Sequence, residues 1–105
     1  MMKGQLGNMM QQAQKLQQGV QKAQQEIEEL VIEGQAGGGL VKLQMNGKYQ
    51  VQRVLLDDSV LDDREMLEDL LAAAFNDAGQ KVRSASQEKL SAATGGLPLP
   101  PGLFG

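Results

Sequence analysis

Val41-Lys42-Leu43-Gln44-Met45-Asn46-Gly47-Lys48-Tyr49-Gln50-Val51 decides how this chain is read. Val41, Leu43 and Met45 alternate with Lys42 and Gln44, the period-two pattern of a strand with one buried face. Asn46-Gly47 is the strongest short hairpin signal a sequence can carry. The return strand places Tyr49 and Val51 on one face and Val54 and Leu56 on the other, so its alternation slips near Arg53. A two-residue loop would set Leu43 opposite the polar Gln50. A three-residue loop with Gly47 in the left-handed region keeps Leu43 and Tyr49 on one face, and is preferred here. Asp57-Asp58-Ser59 ends the sheet, and Val31-Ile32, ahead of Gly37-Gly38-Gly39, supplies a third short strand.

Both flanks of this sheet read as helix. Upstream, Leu6, Met9, Ala13, Leu16, Val20, Ala23, Ile27 and Leu30 follow spacings of three and four without a miss. That is a heptad seam, the pattern of a helix packed along another helix. Gln fills most positions between them and favours helix without adding charge. Gly19 interrupts the seam at a cost of about 1 kcal/mol relative to Ala. Downstream, Asp62 followed by Glu65 fits a capping box. Leu67, Leu70, Leu71, Ala74, Phe75, Ala78, Val82 and Ala85 then form a broad apolar stripe. The pattern predicts a helix to about Ala92, stopped by Gly95-Gly96. Leu97-Pro98-Leu99-Pro100-Pro101-Gly102 fits neither helix nor central strand. The expectation is an α+β domain over residues 1–94, ordered α-β-β-β-α with a small antiparallel sheet and two long helices, and a mobile tail over 95–105.

Composition narrows what such a domain can do. A chain of 105 residues forms one domain. It has no Trp, one Tyr and two Phe, so its core is poor in large side chains and self-association is the expected remedy. With no Cys, disulfides, thiolate catalysis and Cys-bound zinc are excluded. With no His, the usual general base and the commonest metal ligand are missing too. An enzyme would have to use carboxylates, Lys or Tyr49, and nothing in their spacing suggests a site. Asp57, Asp58, Asp62 and Asp63 do not follow the EF-hand pattern, and helix capping explains them more simply, so no metal is expected. Gly37 to Gly39 precede a strand rather than a helix, unlike a phosphate loop. No apolar run approaches the ~20 residues of a membrane span, and no signal peptide is evident. The expectation is a soluble, cytoplasmic protein without cofactor.

The charges are sorted along the chain. Every acid lies between Glu26 and Glu88, while the first twenty-five residues carry Lys3, Lys15 and Lys22 alone. Lys81, Arg83 and Lys89 face a single Glu88 near the other end. The first helix meets the sheet by its acidic C-terminus and the second by its acidic N-terminus. If the two pack antiparallel, their basic ends point away together. A net charge of −3 then conceals outer ends able to meet a polyanion. The bland alternative is a solvated helix surface.

Glu65-Met66-Leu67-Glu68-Asp69-Leu70-Leu71-Ala72-Ala73-Ala74-Phe75-Asn76-Asp77-Ala78 carries a more specific signal. Gly39-Leu40-Val41-Lys42, Asn46-Gly47, Arg53-Val54, Gln12-Ala13-Gln14 and the Leu97-to-Gly102 run join it in order and at matching spacing. Over nearly its whole length the chain resembles the YbaB/EbfC family of bacterial nucleoid-associated proteins. The resemblance implies a tweezer-shaped homodimer that binds double-stranded DNA with little sequence preference through the outer parts of its long helices. Some basic family positions are replaced here: Gln80 and Lys81 stand where an Arg pair is usual, and Gln11, Gly19 and Gln52 also stand where relatives are basic. DNA contact is therefore assigned to Lys15, Lys22, Lys81, Arg83 and Lys89. The rival function is a helical protein-interaction scaffold in DNA replication or repair, its seam and Gln-rich surface binding another helical protein.

Overall fold

The computed structural model describes residues 2–95, with side chains described from Gly4 onward. The tail predicted beyond Gly95 lies outside the described residues. The order is α1 Met2–Glu28, β1 Ile32–Ala36, β2 Val41–Met45, β3 Val51–Leu56, a single 3-10 turn Asp58–Val60, and α2 Arg64–Thr94. The α-β-β-β-α expectation is met. The three strands form one antiparallel sheet with β2 in the centre.

The core is thin and built from small residues. Val41, Leu43 and Met45 of β2 point the same way and are buried against Ala74, Ala78 and Val82 of α2, with Val60 of the 3-10 turn closing one end. The small side chains let α2 lie very close to the sheet. A Cβ built on Gly34 of β1 would stand 2.5 Å from the Ala74 carbonyl oxygen and 2.5 Å from the Ala78 Cβ. Only glycine allows that approach. Phe75, expected in the stripe, is instead 44% exposed. The helix turns Ala74 and Ala78 onto the sheet, and Phe75 follows Ala74 by about 100° around the axis.

The hairpin departs from expectation in one respect. Asn46 and Gln50 close a three-residue loop, with the Asn46 N–H donating to the Gln50 carbonyl at 3.0 Å. The left-handed residue is Tyr49, at φ 61, and not Gly47. Gly47 serves a different need: a Cβ there would collide with the Ile27 carbonyl at the end of α1. Tyr49 bears the strain, of order 1–2 kcal/mol. The buried Asn46 side chain offsets it, its Oδ1 accepting from Lys48 N at 2.9 Å and Gln50 N at 3.1 Å. Past the loop, Met45 pairs with Val51 and Gln44 with Arg53, leaving Gln52 as the extra residue of a bulge. That bulge is the slip legible near Arg53. It puts Val54 opposite Leu43.

The helix caps also shift slightly. Asp63, in an extended conformation, caps α2 by accepting from Met66 N at 3.0 Å. The expected Asp62–Glu65 box is displaced by one residue, because the turn from Val60 runs on until the Asp63 N–H reaches the Val60 carbonyl. Gly95 ends α2 in the left-handed region, as anticipated.

Two helices leave the sheet together. Gly19 of α1 faces the Ala93 carbonyl of α2, and Glu26 faces Lys89, so the pair is antiparallel. The seam splits in two at that point. Val20 and Ala23 are buried against α2, whereas Leu6, Met9 and Met10 are exposed because α2 has already ended. Residues 2–18 project beyond it, roughly 25 Å of helix at 1.5 Å per residue. The described residues measure 75 × 20 × 20 Å.

Replacing Gly34 by Ala is expected to destabilise the domain by about 1–3 kcal/mol, since α2 must lift off the sheet. Gly79→Ala, where an added methyl meets nothing within 4 Å, is expected to stabilise by about 0.5–1 kcal/mol. Urea unfolding followed by circular dichroism distinguishes the two.

Candidate nucleic-acid interface

The five cations assigned from sequence lie along the two helices rather than in one cluster. Lys15 is farthest out, on the projecting part of α1. There a shallow groove is lined by Met9, Gln12, Ala13, Lys15, Leu16 and the end of α2 from Ala93 to Gly95. Lys22 and Lys89 occupy the middle of the helix pair. Arg83 and Lys81 stand nearer the sheet.

Their electrostatic surroundings differ. Lys89 Nζ lies 3.5 Å from the Glu26 carboxylate. Lys81 Nζ lies 3.0 Å from Asp77 Oδ2 and donates to the Glu33 carbonyl at 3.2 Å. Lys15, Lys22 and Arg83 are exposed and form no ion pair with any other described residue. Partly exposed pairs of this kind contribute about 0–1 kcal/mol, so Lys89 and Lys81 remain available to a polyanion, but with a weaker local field than the other three. Lys48 and Arg53 add exposed positive charge at the hairpin, which the sorted-charge pattern did not bring out.

Asp77 is the residue whose role spacing alone did not reveal. Its carboxylate accepts from the Gln35 amide at 3.0 Å and from Lys81. The Asp77/Lys81 spacing of four signals a helix-surface pair. The reach across to β1 depends on how closely α2 lies on the sheet. The backbone hydrogen bond from Gln35, helped by Lys81, holds the Asp77 carboxyl below the ordinary Asp range. The Asp57 carboxyl is lowered likewise, by the Ser59 hydroxyl and then the Ser59 amide, as it caps the 3-10 turn. Of the acidic run from Asp57 to Asp63, Asp57 caps the 3-10 turn and Asp63 caps α2. Among the described residues no group of three or more such side chains is arranged around a metal position, and no helix is long and apolar enough to cross a membrane.

A long helical arm thus stands on a small sheet, with exposed cations along its two helices. The profile of the YbaB/EbfC DNA-binding family matches residues 2–97, and the chain belongs to that family. It is 56% identical over 104 residues to nucleoid-associated protein BAV0915 of Bordetella avium strain 197N, covering 98% of this chain and 96% of that one. In fold it is similar to the crystal structure of the uncharacterized protein HP0035 from Helicobacter pylori. That match has a TM-score of 0.63 and 24% identity, over 81% of this chain and 88% of the other.

The lowered Asp77 carboxyl carries a sign. A carboxylate stabilised in the fold contributes stability above its unfolded value near 3.9 and loses it as pH falls through the folded value. Acid titration of wild type against Asp77→Ala is expected to show the wild-type advantage at neutral pH shrinking only below about pH 4. An advantage independent of pH over that range would mean the carboxylate charge is not involved.

Proposed function

We propose that this chain acts as a homodimer that binds duplex DNA with little sequence preference, through phosphate contacts from the outer parts of its helices. One observation carries the proposal: the first twenty-five residues hold no acidic side chain, and most of them project past the end of α2 as an exposed helix. A polyanion meets positive charge there without an opposing carboxylate. Lys15, Lys22 and Arg83 make the principal contacts, with weaker contributions from the ion-paired Lys81 and Lys89. Phosphate contacts position a protein without reading sequence. With no aromatic side chain on the arm to stack on bases, base readout has little support.

Dimerisation is supported at the sheet. Val54, Leu55 and Leu56 of β3 are each about two-fifths exposed, and Leu61 and Phe75 are exposed as well. β3 is an edge strand, and an open apolar edge is a template for a second strand. A second copy joined there gives two arms, the tweezer expected from the family. The domain carrying this activity is residues 1–94. The protein works in the cytoplasm on the nucleoid, without catalysis or cofactor. The scaffold reading draws on Leu6, Met9 and Leu16, which are exposed on the same arm. Recovery of a defined protein partner from nuclease-treated lysate would favour it.

Fluorescence anisotropy with random-sequence duplex at low salt tests DNA binding. Lys15→Glu combined with Lys22→Glu is expected to weaken affinity at least tenfold while circular dichroism stays unchanged. Log K should fall by about 0.9 per neutralised phosphate per log unit of salt. Undetectable wild-type binding at tens of micromolar protein would defeat the proposal. Separately, Leu55→Asp is expected to convert the sedimenting species from dimer to monomer.

A further inference from the structure

β1 and β3 are both edge strands, yet they are finished differently. On β1, Glu33 and Gln35 turn backbone groups away from β2. The Gln35 amide donates to Asp77 Oδ2 at 3.0 Å, and the Glu33 carbonyl accepts from Lys81 Nζ at 3.2 Å. Asp77 and Lys81 are themselves paired at 3.0 Å, one helical turn apart on α2. One donor and one acceptor, adjacent on the outer rim of β1, are thus occupied by a single two-residue clamp. The contact of Gly34 with Ala74 and Ala78 brings α2 close enough to the rim for these side chains to reach it. On β3, by contrast, no side-chain hydrogen bond to the strand backbone occurs among the described residues. The 3-10 turn and α2 leave that side uncovered, and the β3 side chains stay exposed from Gln52 to Leu56.

We infer that Asp77 and Lys81 close the β1 edge, so that strand-to-strand assembly of this chain proceeds only through β3 and stops at two copies. The inference rests on the reading that a second copy joins at β3. Two-fold pairing of β3 with β3 yields one continuous sheet whose two outer strands are both β1. Were those strands open, the same chemistry would repeat and the dimers would grow into a filament. An incoming strand must displace the Asp77 carboxylate from the Gln35 amide and the Lys81 ammonium from the Glu33 carbonyl. It must then bury those charges or push them aside. Negative charge on Asp77 also strengthens its bond to the amide beyond that of a neutral acceptor. The clamp gives Lys81 a task separate from DNA, which accounts for a cation so near the sheet and so far from the arm's end.

Sedimentation velocity on the full chain, over a hundredfold concentration range, tests the inference. The Asp77→Ala/Lys81→Ala variant is expected to reach at least twice the wild-type mass at high concentration, with helix content retained. Lys81→Arg, which keeps the donor, is expected to keep the wild-type mass. A well-folded double variant that stays at wild-type mass throughout overturns the inference. Should the double variant not fold, hydrogen exchange of Asp77→Ala alone decides: the Gln35 amide should lose at least tenfold of its protection, and unchanged protection overturns the clamp. The dimer reading is separated by a background mutation. In Leu55→Asp the β3 route is blocked. The double variant in that background should re-form pairs through β1 if the clamp was the barrier, and remain monomeric if it was not. A wild type that is monomeric from the outset defeats the β3 reading and the two-copy limit with it, whereas self-association of the double variant against a monomeric wild type would still mark β1 as the closed edge.

Discussion

The contact between Gly34 and the Ala74–Ala78 turn of α2 fixes everything around it. Side chains on facing elements normally hold a helix and a sheet about 10 Å apart. Here glycine on the strand and alanine on the helix let the two backbones come nearer. That nearness places α2 over β1 and β2 rather than over the sheet's centre of mass, and it leaves β3 without a lid. It also brings Asp77 and Lys81 to the rim of β1. A core of valines, alanines and two larger side chains then suffices, because close packing multiplies weak contacts. The open side carries the large apolar residues that such a core cannot enclose.

From that contact the two helices run outward together, and the charge order along the chain becomes a charge order in space. The acidic blocks sit where α1 ends and α2 begins, at the sheet. The arm beyond is neutral or positive. The separation is modest in number: Lys15 and Lys22 on α1, with Arg83 and the two paired lysines on α2. Long-range attraction to a polyanion comes from exposed cations without opposing charge beside them, and its strength depends steeply on salt. Membership of the YbaB/EbfC DNA-binding family gives this electrostatic arrangement its natural partner.

Much of the fold was legible because periodicity reports directly on local geometry. The strict seam from Leu6 to Leu30 marked α1, alternation from Val41 to Met45 marked β2, and Asn46-Gly47 marked the hairpin. The irregularity near Arg53 reported a real bulge. Errors arose where a residue had two possible reasons for being there. Gly47 suits a left-handed position by residue type, yet it is glycine because the Ile27 carbonyl lies against it. Asp62 and Asp63 both satisfy a capping pattern, and only the length of the preceding turn chooses between them. Phe75 belongs to the stripe by spacing but lies outside the contact by a fraction of a turn.

The order of elements, their lengths and the polarity of charge from sheet to arm are all legible in local patterns along the chain. Those properties follow from neighbours within a few residues, where hydrogen bonding and side-chain period act. Packing sets the end of α2 opposite Gly19, so that half the seam stands free. Packing also joins Asp77 and Lys81 to Glu33 and Gln35, more than forty positions away. Such contacts depend on how closely two surfaces approach, and closeness is a property of the packed whole that no local spacing encodes.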